Sequence, residues 1–224
     1  MTSIPEPLQR PRSPAEIAGA IPDFALGLVF ALAWVAPGRL EPWVVKWLLL
    51  TMLLEFVIIH STAVLGSAVF TNHDPRKRLA IVVPLVLFYC VFALGFSLGF
   101  HTWWPLVSFI LLTANRMTPL ITRPALANDE RVMLGASWAG TTVCYLAGVF
   151  VTTLAPIPRF GLTPGEVAAL HLEGGGLWIQ QPWRVIAFGA FYFTAVGVLE
   201  LQGFAPFRAG VRGLHGTPRV PSSR

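Results

Sequence analysis

The chain is 224 residues long and 54% hydrophobic, only 12% of it is charged, and its formal net charge is +5. A soluble globular domain carries about twice that share of charge, and two cysteines cannot staple a disulfide scaffold. Disorder and coiled coil fail on the same arithmetic, so the composition predicts an all-α polytopic membrane protein.

Residues 1–20 are polar and carry Pro5, Pro7, Pro11 and Pro14, which predicts a flexible cytoplasmic tail. The first apolar run, 21–37, is short for a span. It follows Arg10 and Arg12 and contains Ala31-Leu32-Ala33, a signal-peptide pattern, but we read it as a retained span. Further runs at 42–70, 79–100, 103–118, 132–156 and 183–205 bring the prediction to six transmembrane helices within a domain over 21–206. Residues 207–224 read as a basic cytoplasmic tail. Cys90 and Cys144, each about 17 Å deep by helical rise, read as small buried hydrophobes.

Charge sets the orientation. With both termini cytoplasmic, twelve of the sixteen basic residues fall on that side: Arg10, Arg12, Arg76, Lys77, Arg78, Arg116, Arg123, Arg131, Arg208, Arg212, Arg219 and Arg224. That is the positive-inside bias expected of a bacterial inner membrane. A five-span alternative, with a re-entrant hairpin near Trp103, would put Arg116, Arg123 and Arg131 outside. Basic residues spread over separate short loops do not make a nucleic-acid face, so nucleic acid is not an expected partner. Seven of the eight tryptophans, all but Trp138, cluster at the predicted outer boundary as an interfacial belt.

The outer loop, 157–182, holds a capping box in Thr163-Pro164-Gly165-Glu166. It predicts an interfacial amphipathic helix running to about Glu173 and stopping at Gly174-Gly175-Gly176. The segment, with His171, reads as a lid or as a gate hinged on the glycines.

Ionisable groups in hydrocarbon are costly, so Glu55 is the principal candidate. It lies about 20 Å from the outer end of its run, on a stripe with Thr51, Ile58, Thr62 and Gly66. His60, about 140° round the same helix, faces elsewhere. Arg116, with Asn115 beside it, matches Glu55 in depth and is a candidate ion-pair partner, or else snorkels to cytoplasmic water. Glu200 sits about 25 Å along the last run, near the inner interface.

No catalytic or metal constellation emerges. Gly135-Ala136-Ser137-Trp138-Ala139-Gly140 misses the spacing of an intramembrane serine protease, and the zinc-protease His-Glu-x-x-His pattern does not occur. Haem is disfavoured because His60 and His101 differ in depth. The phenylalanines at 88, 92, 96, 100, 188, 191 and 193 suit lipid by default, and equally a pigment, a quinone or a partner helix.

The expectation is a non-enzymatic membrane protein. It is either an accessory subunit among other membrane chains or copies of itself, or a small permease-like module. The alternative is an intramembrane enzyme for a lipid-like or quinone-like substrate.

Overall fold

The computed structural model describes residues 14–71, 74–122, 128–172 and 175–215. Every regular element among them is helical: α1 (Pro14–Val35), a 3-10 turn (Pro37–Arg39), α2 (Pro42–Thr71), α3 (Pro75–Gly99), α4 (Trp104–Thr122), α5 (Asn128–Leu154), α6 (Pro164–Ala169), α7 (Leu177–Gln180), α8 (Pro182–Leu201) and α9 (Ala205–His215). Five of these are long and apolar enough to cross a membrane: Ile17–Val35, Pro42–Ser67, Arg76–Gly99, Arg131–Leu154 and Pro182–Leu201. A chain with five such helices is an integral membrane protein. The run predicted as the fourth of six spans forms α4, which is not among these five.

Several boundaries differ from the sequence reading. α1 starts at Pro14, so residues 14–20 are helix rather than tail. Proline is tolerated in a first turn because the N–H it lacks has no intrahelical partner there. Residues 205–215, read mostly as tail, form α9, reached through a turn with positive φ at Gly203 and Phe204. α9 lies on α5, with Val211 against Gly135, and Phe204 and Phe207 against Gly140. Arg208 Nη2 donates to Met133 Sδ at 2.8 Å. The rest of both predicted tails, 1–13 and 216–224, lies outside the described residues.

The outer-loop helix is also shorter than expected. Thr163 does cap it, its Oγ1 accepting from Glu166 N at 3.4 Å, but α6 ends at Ala169. The chain turns at His171, φ 44°, so a histidine takes the left-handed position that the reading assigned to the glycines. Burial of Leu162 and Leu170, 0% and 3% exposed, explains the early stop. Both leucines sit in the core, while α6 between them has no buried residue.

Two packing units share α2. Phe30 of α1, Leu48 and Met52 of α2, Tyr145 of α5, and Ile186 and Phe188 of α8 build the larger core. Leu54, Val57 and Ile58 of α2 join Tyr89 and Ala93 of α3 and Phe109 of α4 in the smaller. The sequence reading places α2 centrally, and it touches α3, α4, α5 and α8. α8 is equally enclosed, with half of its span buried, as in α2.

α1 and α8 pack most closely of all. Small residues permit this, as helices in lipid associate through close backbone approach. A Cβ at Gly27 would lie 2.8 Å from Thr194 Oγ1, and one at Gly197 would lie 3.1 Å from the Phe24 ring. Phe30 covers Gly189 of α8, and Phe188 fills the notch at Gly148 of α5.

The segment between α5 and α7 is fastened at three points. Trp34 Nε1 donates to the Pro158 carbonyl at 2.9 Å, Gly161 N donates to the Trp34 carbonyl at 3.1 Å, and the Arg159 guanidinium stacks 4.1 Å over the Trp183 ring. Gly161 has no room for a side chain, because a Cβ would press on Pro37 and lie 2.9 Å from the Val35 carbonyl carbon. Since backbone cannot rotate away, Gly161→Ala is expected to loosen this corner by about 1–3 kcal/mol. Hydrogen exchange should then quicken over 157–172 while α2–α4 are unchanged. Uniform exchange would show that the corner had absorbed the methyl.

Candidate functional site

The chain has three tyrosines against sixteen phenylalanines. In an apolar interior a hydroxyl must find a partner, so a tyrosine among phenylalanines marks a polar contact. The three stand on α3, α5 and α8, and the hydroxyl of each bonds to α2.

Tyr192 of α8 donates from its hydroxyl to Glu55 Oε1 at 2.7 Å. Tyr145 of α5 donates to the Met52 carbonyl at 2.9 Å, one turn before Glu55. The two rings meet edge to face at 5.5 Å, and Phe188 closes on both at 4.9 and 5.9 Å. Tyr145 and Tyr192 are buried, whereas Glu55 is only partly enclosed. A carboxyl in hydrocarbon is tolerable when its oxygens are hydrogen-bonded, and this phenol meets that need on one oxygen.

Tyr89 of α3 makes the third contact, with its hydroxyl 2.8 Å from His60 Nδ1. Glu55 and His60 therefore face different neighbours, as their angular separation on α2 requires. Phe56 stands between the two centres, 6.0 Å from the Tyr145 ring and 6.1 Å from the His60 ring. His60 is exposed on the outside of the bundle.

The remaining candidates are dispersed. Asn115 and Arg116 belong to α4, but their side chains lie outside the described residues, so the proposed Glu55–Arg116 pair does too. Glu200 lies at the far end of α8 from the outer segment. Its buried Oε2 has no hydrogen-bond partner among the described residues and would lie 3.2 Å from a Cβ at Gly19.

In the segment between α5 and α7, Thr163 caps α6, and Glu166 lines a small pocket with Pro37, Leu40, Pro42 and Leu170. His171 and Gly175 are exposed, Gly176 turns the chain into α7 at φ 107°, and Gly174 lies outside the described residues. Cys90 and Cys144 are free thiols that pack against different cores. Among the described residues no cluster of three or more His, Cys, Asp or Glu is placed to hold a metal.

Sequence reasoning missed Tyr145 and Tyr192, although their rarity was the available signal. It weighed charge and passed over the phenols that satisfy it.

The architecture defines an all-helical integral membrane protein whose three tyrosine hydroxyls all bond to α2. No protein-family description, curated protein or solved structure matches the chain.

Proposed function

We propose that the chain is a non-enzymatic accessory subunit of a larger assembly in a bacterial inner membrane. In this reading α4 supplies a sixth span and both termini are cytoplasmic. Support for the orientation is the placement of twelve of sixteen basic residues on one side. One observation carries the functional reading: Tyr192 donates to Glu55 at 2.7 Å across the α2–α8 contact. The partly enclosed acid then joins helices, as an interhelical polar contact in lipid does. The segment over the outer end acts as a fixed cap.

The test compares two replacements. Glu55→Gln keeps an oxygen that accepts the Tyr192 bond, so the chain should stay monodisperse and co-purify with the same membrane partners in mild detergent. Glu55→Leu leaves the buried phenol unpaired and should cost about 1–3 kcal/mol, read as a lower midpoint in denaturing-detergent titration. If the Gln variant folds and assembles normally but abolishes proton- or ion-coupled flux in proteoliposomes, the protein is a permease-like module instead. Glu200 favours that second reading, because its buried oxygen, unbonded among the described residues, is another polar position on the helix that carries Tyr192.

A further inference from the structure

His60 stands in the wrong place for an ordinary intramembrane histidine. Ionisable side chains in spans almost always face the bundle interior or a water-filled cavity, yet this ring is exposed on the membrane-facing side. It lies eleven residues before the end of α2, and Tyr89 fourteen after the start of α3. Both counts place the pair about 16–21 Å from the facing ends of these helices, inside a hydrocarbon core about 30 Å thick. Neither water nor lipid ester carbonyls reach that depth in quantity.

The Tyr89 contact determines what the ring offers. A phenol is a better donor than neutral imidazole, and unprotonated Nδ1 is a good acceptor, so the hydroxyl donates to Nδ1. The proton then resides on Nε2, which makes no hydrogen bond among the described residues. Tyr89 is itself 4% exposed and packed in the smaller core, so it holds the ring in this orientation. The result is an N–H donor on an exposed ring, not a lone pair available to a metal.

The surroundings are flat and apolar. Phe56, 52% exposed, lies nearly parallel to the imidazole, at 12°. Phe88 and Phe92, 55% and 48% exposed, extend the aromatic surface beyond Tyr89 by edge-to-face contacts at 5.4 and 5.3 Å. A ligand for this place dissolves in the bilayer, carries a carbonyl acceptor and has a planar ring that stacks on aromatic faces.

We propose that His60 Nε2–H, fixed by Tyr89 and flanked by Phe56, with Phe88 and Phe92 beyond Tyr89, binds a lipid-soluble quinone through one of its carbonyl oxygens. The site binds the quinone without a redox step, and it does not depend on the role given to Glu55.

The test uses the full chain in lipid nanodiscs, titrated with ubiquinone-1 by equilibrium dialysis. One-to-one binding is expected. His60→Leu should weaken it about tenfold and Tyr89→Phe about threefold, the range a single hydrogen bond spans. His60→Gln, which retains an N–H, should lose less than His60→Leu. Equal affinity in wild type and His60→Leu would overturn the proposal. So would a Soret band on adding haem that His60→Leu removes, since that requires a free lone pair. A change in oligomeric state in His60→Leu with quinone binding unaltered would also overturn it, assigning the face to a second copy. Should His60→Leu fail to fold, ring-nitrogen NMR of histidine-labelled wild-type protein decides. A ubiquinone-1-dependent shift of the His60 resonance is expected, and an unmoved resonance refutes the site.

Discussion

Gly189→Val is expected to destabilise the bundle strongly. Gly189 is buried on α8 directly beneath the Phe30 ring of α1, and even a methyl there would fall within that ring's contact distance. Phe30 is 0% exposed and stacks on Phe193 at 5.4 Å, so it has no free volume to retreat into. Overpacking of a filled core costs about 1–3 kcal/mol and occasionally more. Two extra methyls beyond the Cβ put this case at the upper end, a large part of the stability of a typical domain. The measurement is the monodisperse fraction surviving a temperature series in mild detergent, and a steric cause makes a second demand. Phe30→Leu in the same chain should recover part of the loss by vacating the ring's volume. An unchanged midpoint in Gly189→Val would mean that α1 does not sit on α8 as described.

The second large effect is expected at Arg184, in the first turn of α8. Its Nη1 donates to the carbonyls of Thr152, Thr153 and Ala155 at 2.5, 3.2 and 2.9 Å, and its Nε to Gln181 Oε1 at 2.6 Å. Those carbonyls close α5, where the last turn lacks intrahelical donors and the helix dipole is negative. One guanidinium thus terminates α5 and joins it to α8. Arg184→Met keeps most of the aliphatic length and removes every donor, which should cost about 3 kcal/mol from the lost charged hydrogen bonds and dipole interaction. Arg184→Lys should fall between, because an ammonium cannot reproduce the planar fork. Unfolding in denaturing detergent gives the magnitude, and hydrogen exchange near residues 150–155 gives the location. A loss spread evenly over all helices would contradict the capping role.

Both effects involve residues that sequence patterning ranks low. Gly189 reads as one glycine in an apolar run, and Arg184 as a boundary charge. The runs themselves were legible: α2, α3, α5 and α8 lie within a few residues of the apolar segments, because hydrocarbon thickness and helical rise together set their length. Misreadings concentrated at the ends. Residues 205–215 became helical through packing on α5, and 14–20 extend the α1 helix that packs on α8.

The candidate site divides along the same line. Glu55 and His60 stood out because a charged or titratable group inside an apolar run is expensive wherever its neighbours lie. Their opposed directions also followed from 3.6 residues per turn, a property of one helix alone. Which groups meet them did not. Tyr192 reaches Glu55 across 137 positions of chain and Tyr89 reaches His60 across 29, so each pairing depends on how α8 and α3 are rotated and tilted against α2. Those angles come from glycine notches and the rings that fill them. One-dimensional hydropathy records how deep a side chain lies, but its azimuth is set only when helices press together.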